Sequence, residues 1–132
     1  MRSAGLLAIV CLLSGGLAAG AKKSRQVAAV VSIPNPLGFP DTTVGGISAI
    51  RTVTFYSTGQ VPLYISRFDV PPDFAILQNT CVTYIPVGKT CTISLVFRPS
   101  ASGSIGEYLY LSGNMNYVYA QALLGNGLWP RN

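Results

Sequence analysis

The sequence predicts an all-β fold, an antiparallel β-sandwich of seven to eight short strands held by one disulfide. Three observations predict it. No window of a dozen residues carries a helical apolar period. Short β-branched or alternating runs recur at even spacing, separated by Gly, Pro, Asn and Ser. Two cysteines, Cys81 and Cys91, follow an N-terminal apolar segment, an arrangement that favours an oxidised pair. A chain of 132 residues is one ordinary domain, and 49% hydrophobic against 10% charged residues rules out a disordered polyelectrolyte.

Residues 1–21 read as a signal peptide. Arg2 is the positive start, residues 6–13 are the apolar run, and Ala19-Gly20-Ala21 has the small-residue spacing of a cleavage site. Cleavage after Ala21 implies a periplasmic or secreted protein of about 110 residues. The alternative is an anchor that is kept. The apolar stretch 4–21 is about 18 residues, the lower limit for spanning, and Ser14, Gly15, Gly16 and Gly20 dilute it. Lys22, Lys23 and Arg25 follow at once, and positive charge there disfavours export. Any membrane contact is expected only through an uncleaved signal segment.

Residues 22–36 form an N-terminal arm or a first strand. The β-prone run 27–33 stops at Pro34-Asn35-Pro36, because proline has no N–H for a ladder. It either starts its own sandwich or adds to the open sheet edge of a neighbour. Residues 47–56 contain the alternating Arg51-Thr52-Val53-Thr54-Phe55-Tyr56, closed by Ser57-Thr58-Gly59. A strand at 62–68 precedes Pro71-Pro72, and a short one at 74–77 follows. The clearest is 90–98, with Cys91, Ile93, Leu95 and Phe97 on one face and Thr92, Ser94, Val96 and Arg98 on the other. Ala101-Ser102-Gly103 turns into 105–112, where Leu109 and Leu111 point inward and Tyr108 and Tyr110 outward. The last strand, 117–124, ends at Gly125-Asn126-Gly127, and residues 129–132 are a tail. Gly45, Gly59, Gly103 and Gly125 are assigned to reversals, where a positive φ costs glycine little. Nothing suggests a second domain, a long linker or an internal repeat.

The Cys81–Cys91 bridge closes a loop of about 11 residues and contributes about 3 kcal/mol on the loop-entropy argument. A metal site is the rival, but two thiolates in a chain with no histidine make a poor zinc cage. No metal and no cofactor are expected. The acids are Asp41, Asp69, Asp73 and Glu107. Asp69 and Asp73 flank Pro71-Pro72 and read as solvated turn residues rather than a carboxylate dyad. No serine stands in a nucleophile-elbow context, and no histidine is present to activate one. These residues predict no enzyme. The net charge of +5 is scattered apart from Lys22, Lys23 and Arg25, so no nucleic-acid partner is expected.

Aromatic residues are the candidate contacts. Tyr108 and Tyr110 point outward. Tyr117 and Tyr119, on the next strand, either complete a four-tyrosine patch with them or turn inward with Leu123. Tyrosine-rich patches suit recognition. The candidate binding residues are therefore Tyr108, Tyr110, Tyr117 and Tyr119, with the basic Lys22, Lys23 and Arg25.

Residues 37–128 resemble the Hydin-like, abnormal-spindle-type immunoglobulin-like domains, in the bacterial secreted form called choice-of-anchor D. Phe39-Pro40-Asp41-Thr42-Thr43-Val44-Gly45 is similar to the family's opening, with Pro40 where Gly is usual. Thr52-Val53-Thr54-Phe55 with Ser57-Thr58-Gly59 resembles its strand and turn, Ser57 replacing Asn. Pro62-Leu63-Tyr64-Ile65-Ser66, Asp73-Phe74, the paired cysteines, Phe97-Arg98-Pro99 and Leu123-Leu124-Gly125-Asn126-Gly127 follow in the family's order. The resemblance implies an immunoglobulin-like sandwich without a characteristic active site. It implies a non-catalytic structural or protein-interaction subunit of a bacterial envelope or extracellular assembly, with protein partners. The alternative is an adhesin-like module that binds glycan.

Overall fold

The computed structural model describes residues 26–130. The signal-peptide reading of residues 1–21, and the candidate contacts Lys22, Lys23 and Arg25, lie outside the described residues. The strands are β1 (Val30–Ile33), β2 (Leu37–Gly38), β3 (Thr42–Thr43), β4 (Arg51–Ser57), β5 (Ile65–Asp69), β6 (Phe74–Asn79), β7 (Thr90–Phe97), β8 (Gly103–Gly113) and β9 (Tyr119–Leu128), with no helix among the described residues.

Two sheets result. One runs β1-β4-β7-β6, the other β2-β9-β8-β5, with β3 also on β9. Long neighbours pair antiparallel, whereas β2 and β3 join β9 in parallel. Apart from the parallel β2 and β3, this is the strand order of a constant-type immunoglobulin sandwich, so the predicted fold class stands. The chain's first strand switches sheets at Pro34-Asn35-Pro36: β1 pairs with β4, then β2 pairs with β9. The segment 30–33 therefore belongs to its own sandwich.

Alternation drives the layering. Val53 and Phe55 of β4, Ile93, Leu95 and Phe97 of β7, Leu109 and Leu111 of β8 and Leu123 of β9 are fully buried between the sheets. Each such side chain contributes roughly 1.5–3 kcal/mol on leaving water. Phe74 lies 5.2 Å from Phe39 and 5.1 Å from Phe97, ring centre to ring centre, and fills the end of the core where β7 finishes.

Gly125 and Gly127 correct the expected end of the last strand. They do not stop it; β9 runs on to Leu128. A Cβ on Gly125 would sit 2.6 Å from the Phe97 ring, and one on Gly127 would sit 2.2 Å from the Ala101 carbonyl oxygen. Glycine is needed there for close approach, not for a reversal. Gly59 is a similar case, its Cβ position lying 2.4 Å from the Val27 carbonyl oxygen, whereas Gly45 and Gly103 have the expected positive φ of 86° and 107°.

The sandwich has two ends. At the first, β4 and β8 finish and β7 begins, and Val27 is bonded to Gln60 in both directions. At the second, β7 finishes, β8 begins and β9 ends. The Cys81–Cys91 disulfide is formed, with S–S 2.00 Å and Cα–Cα 5.1 Å. Both cysteines are buried, and they tie the foot of the 82–89 loop to β7 at the first end.

Candidate functional site

β8 meets β5 in register, Asp69 opposite Tyr110 and Phe68 opposite Leu111. This pairing brings the chain that follows β5 alongside the middle of β8. Val70, Pro71 and Pro72 then form one wall of an open groove of about 350 Å³, and Gly106, Glu107, Tyr108 and Tyr110 form the other, with Asp69 at its rim. The prolines end β5, since neither has an N–H to continue the ladder. Gly106 keeps the opposite wall low.

Tyr108 and Tyr110 point outward as expected, 50% and 42% exposed, with ring centres 5.9 Å apart. Their partners across the strand pair are Ala122 and Ala120, which leave the rings standing clear. Asp69 is held by Arg67, Nε to Oδ1 2.9 Å, and both side chains are largely exposed. Glu107, half-buried, lines the groove from the strand face it shares with Leu109 and Leu111, opposite to Tyr108 and Tyr110. The groove thus offers two tyrosine rings tilted 32° to each other and the exposed Pro72, with the Asp69 carboxylate at its rim. Such a surface suits an extended chain carrying apolar side chains and a cation.

The other predicted tyrosines are elsewhere, and the four-tyrosine patch does not form. Leu123 points inward, so Tyr119 follows it and packs beside the core, its ring edge-on to Phe55 at 6.4 Å. The Tyr119 and Ser32 hydroxyls are hydrogen-bonded at 2.7 Å, and Ser32 Oγ donates to Gln121 Oε1. Ser32 has one proton, so Tyr119 is the donor in its pair with Ser32. Gln121, fully buried, donates through Nε2 to the Pro34 carbonyl at 2.9 Å and the Ala122 carbonyl at 3.0 Å. Asn35 Oδ1 accepts from Ala122 N at 3.0 Å, and Tyr117 OH accepts from Val30 N at 3.1 Å. Tyr117 and Tyr119 therefore fasten β1 and the Pro34–Pro36 corner to β9.

Asp69 and Asp73 do not pair as a dyad. Asp73 is not the solvated turn residue expected: it is buried and accepts from Ser100 N at 3.0 Å and Ser100 Oγ at 2.7 Å, bracing the turn before β8, while Asp69 pairs with Arg67. Among the described residues no three His, Cys, Asp or Glu side chains are grouped as metal ligands. The sequence reading missed Asp69, Pro71 and Pro72 as neighbours of Tyr108. The signal available was the double proline after an edge strand, which reads as a rigid wall only once β5 is known to lie beside β8.

No family model and no curated protein matches the sequence. Among solved structures, the fold is similar to part of the VesB protease of Vibrio cholerae, with TM-score 0.54 and 10% identity over 75% of this chain and 31% of that one. The secreted serine protease VesC of Vibrio cholerae is matched at TM-score 0.49 and 15% identity, over 72% of this chain and 24% of that one. The chain spans less than a third of the length of either structure. The likeness to VesB carries the fold, and it corrects two expectations. The architecture is one that a protease contains, so the reading as a non-catalytic envelope subunit or glycan-binding adhesin, and the prediction of no enzyme, are withdrawn.

Proposed function

We propose that this chain is the β-sandwich part of an exported proteolytic system and that it holds an extended peptide on the groove between residues 69–72 and 106–110. The observation that carries this reading is the groove itself: two exposed tyrosines beside the exposed Pro72, with Asp69 at the rim. The Arg67–Asp69 pair is exposed and therefore weak, so the Asp69 carboxylate at the rim favours a Lys or Arg side chain on the peptide. The similarity to part of a protease supports a role beside peptide-bond hydrolysis. The chain has no histidine, so a Ser-His-Asp triad would take its imidazole from another chain or another stretch of a longer one.

Export is part of the same proposal. It is supported by the Leu-rich run, the Ala19-Gly20-Ala21 spacing and the Cys81–Cys91 disulfide, a bond that persists outside the reducing cytoplasm. The kinship with the choice-of-anchor D domains also belongs here, supported by the order of its marks along residues 37–128.

The test is fluorescence anisotropy with labelled extended peptides, with and without a Lys or Arg beside apolar residues. Tyr108→Ser/Tyr110→Ser weakens binding about tenfold, in line with loss of two aromatic contacts. Asp69→Asn removes the preference for the basic peptides. Equal binding by all three proteins sinks the groove reading.

A further inference from the structure

We propose that the first end of the sandwich, where Val27 is tied to Gln60, docks on an anionic phospholipid bilayer. This surface is separate from the groove. Three loops and the start of the described chain are knitted together there. Asn114 accepts from Tyr64 N at 2.8 Å through Oδ1, donates to the Pro62 carbonyl at 2.9 Å through Nδ2, and its backbone N donates to the Tyr64 carbonyl at 3.0 Å. Leu63 and Ile85 exchange both backbone hydrogen bonds, 2.9 and 2.8 Å, which joins the 82–89 loop to the same platform. Gly88 N donates to the Ser57 carbonyl at 2.8 Å, and Ala28 bridges to Met115.

This platform presents apolar side chains outward. Val82 is 60% exposed and Tyr84 66%, with Val87 also exposed and the Tyr64 ring tilted against that of Tyr84 at 5.0 Å between ring centres. The disulfide fixes the foot of the loop that carries three of these four. Apolar side chains on a braced tip, with tyrosine rings among them, match the polar-apolar boundary of a bilayer.

Charge selects the lipid. Lys89 is exposed at this end, and Lys22, Lys23 and Arg25 directly precede Gln26 in sequence. All four acids lie away from it. Asp41 precedes the residue paired with Gly127, Asp73 precedes the residue paired with Phe97, Asp69 is opposite Tyr110, and Glu107 is opposite Leu123. Asp69 is four strand residues from Ile65 and Glu107 six from Gly113, which is roughly 13 and 20 Å at about 3.3 Å per residue. Both distances exceed the Debye length of about 8 Å at physiological salt, so the carboxylates do not cancel the Lys89 charge at the platform. An apolar tip that carries the uncancelled Lys89 cation fits an anionic bilayer rather than a neutral one.

The single tryptophan supplies the control for the test, because Trp129 follows the far end of β9. In the Trp129→Phe/Tyr84→Trp chain the only indole is on the platform; in the unaltered chain it is at the opposite end. Vesicles of phosphatidylcholine with a quarter phosphatidylglycerol, their acyl chains brominated, report contact by quenching. The proposal expects quenching by half or more for the platform indole and little for Trp129, whatever the residues before Gln26 do. It also expects Lys89→Ala to weaken vesicle binding about fivefold, the equivalent of about 1 kcal/mol per cation near the surface. Groove-dependent peptide binding stays unchanged in these variants. Vesicle binding without quenching of the platform indole overturns the proposal, as does equal binding to pure phosphatidylcholine. Sedimentation showing a dimer abolished by Tyr84→Ser would hand this end to a second copy and overturn it too.

Discussion

Tyr108 and Tyr110 share their two-residue spacing with Tyr117 and Tyr119, and each pair sits on or next to one of two adjacent strands. The first pair stands over alanines, with rings in solvent beside the Pro71-Pro72 wall. The second pair spends both hydroxyls on the other sheet, at Val30 N and at Ser32. The inward neighbours decide the outcome. Leu109 and Leu111 claim the interior on β8, which expels Tyr108 and Tyr110. On β9, Leu123 and Gln121 claim it, and Tyr119 is carried in by the same two-residue parity. Identical spacing thus yields a recognition surface on one strand and a structural clasp on the next.

The clasp is broken most severely at its centre. Gln121→Ala removes the partner of Ser32 and of the Pro34 carbonyl and leaves a cavity, so unfolding in urea should show a loss of about 3 kcal/mol. A loss under about 1 kcal/mol would mean that the corner holds without it. Tyr119→Phe deletes one hydroxyl and should cost about 1–1.5 kcal/mol, and the double cycle with Ser32→Ala should recover most of that as coupling. Tyr117→Phe leaves Val30 N unsatisfied at a part-exposed site, a loss of about 1 kcal/mol that hydrogen exchange would show first at Val30. The smallest effect on stability belongs to the other pair. Tyr108→Ser/Tyr110→Ser should stay within about 0.5 kcal/mol of the parent in the same denaturation experiment, while losing peptide binding. Should the second pair prove as dispensable as the first, the distinction between them collapses.

The strands themselves were legible because alternation is local. Cys91, Ile93, Leu95 and Phe97 announce the buried face of β7, and all four are buried. Tyr119 was not, since its direction hangs on a register that Leu123 and the unseen Gln121 network select together. Gly125 misled for a different reason. A glycine looks like a turn until the ring it must clear, that of Phe97, is known to lie against it. The groove was illegible because residues 69–72 and 106–110 meet only through the β5–β8 pairing. The functional class was misjudged because a family's role was inferred from its marks, and a sandwich of this topology also occurs inside a protease.

The ladder is irregular on both strands that flank one side of the molecule, with register shifts between Ile65 and Arg67 on β5 and between Ile76 and Gln78 on β6. A straight incoming ribbon finds no matching row of donors and acceptors at either place. Along that flank the protein is built to resist growing into fibrils when crowded, so its solutions should remain clear at concentrations where a flat-edged sandwich would gel.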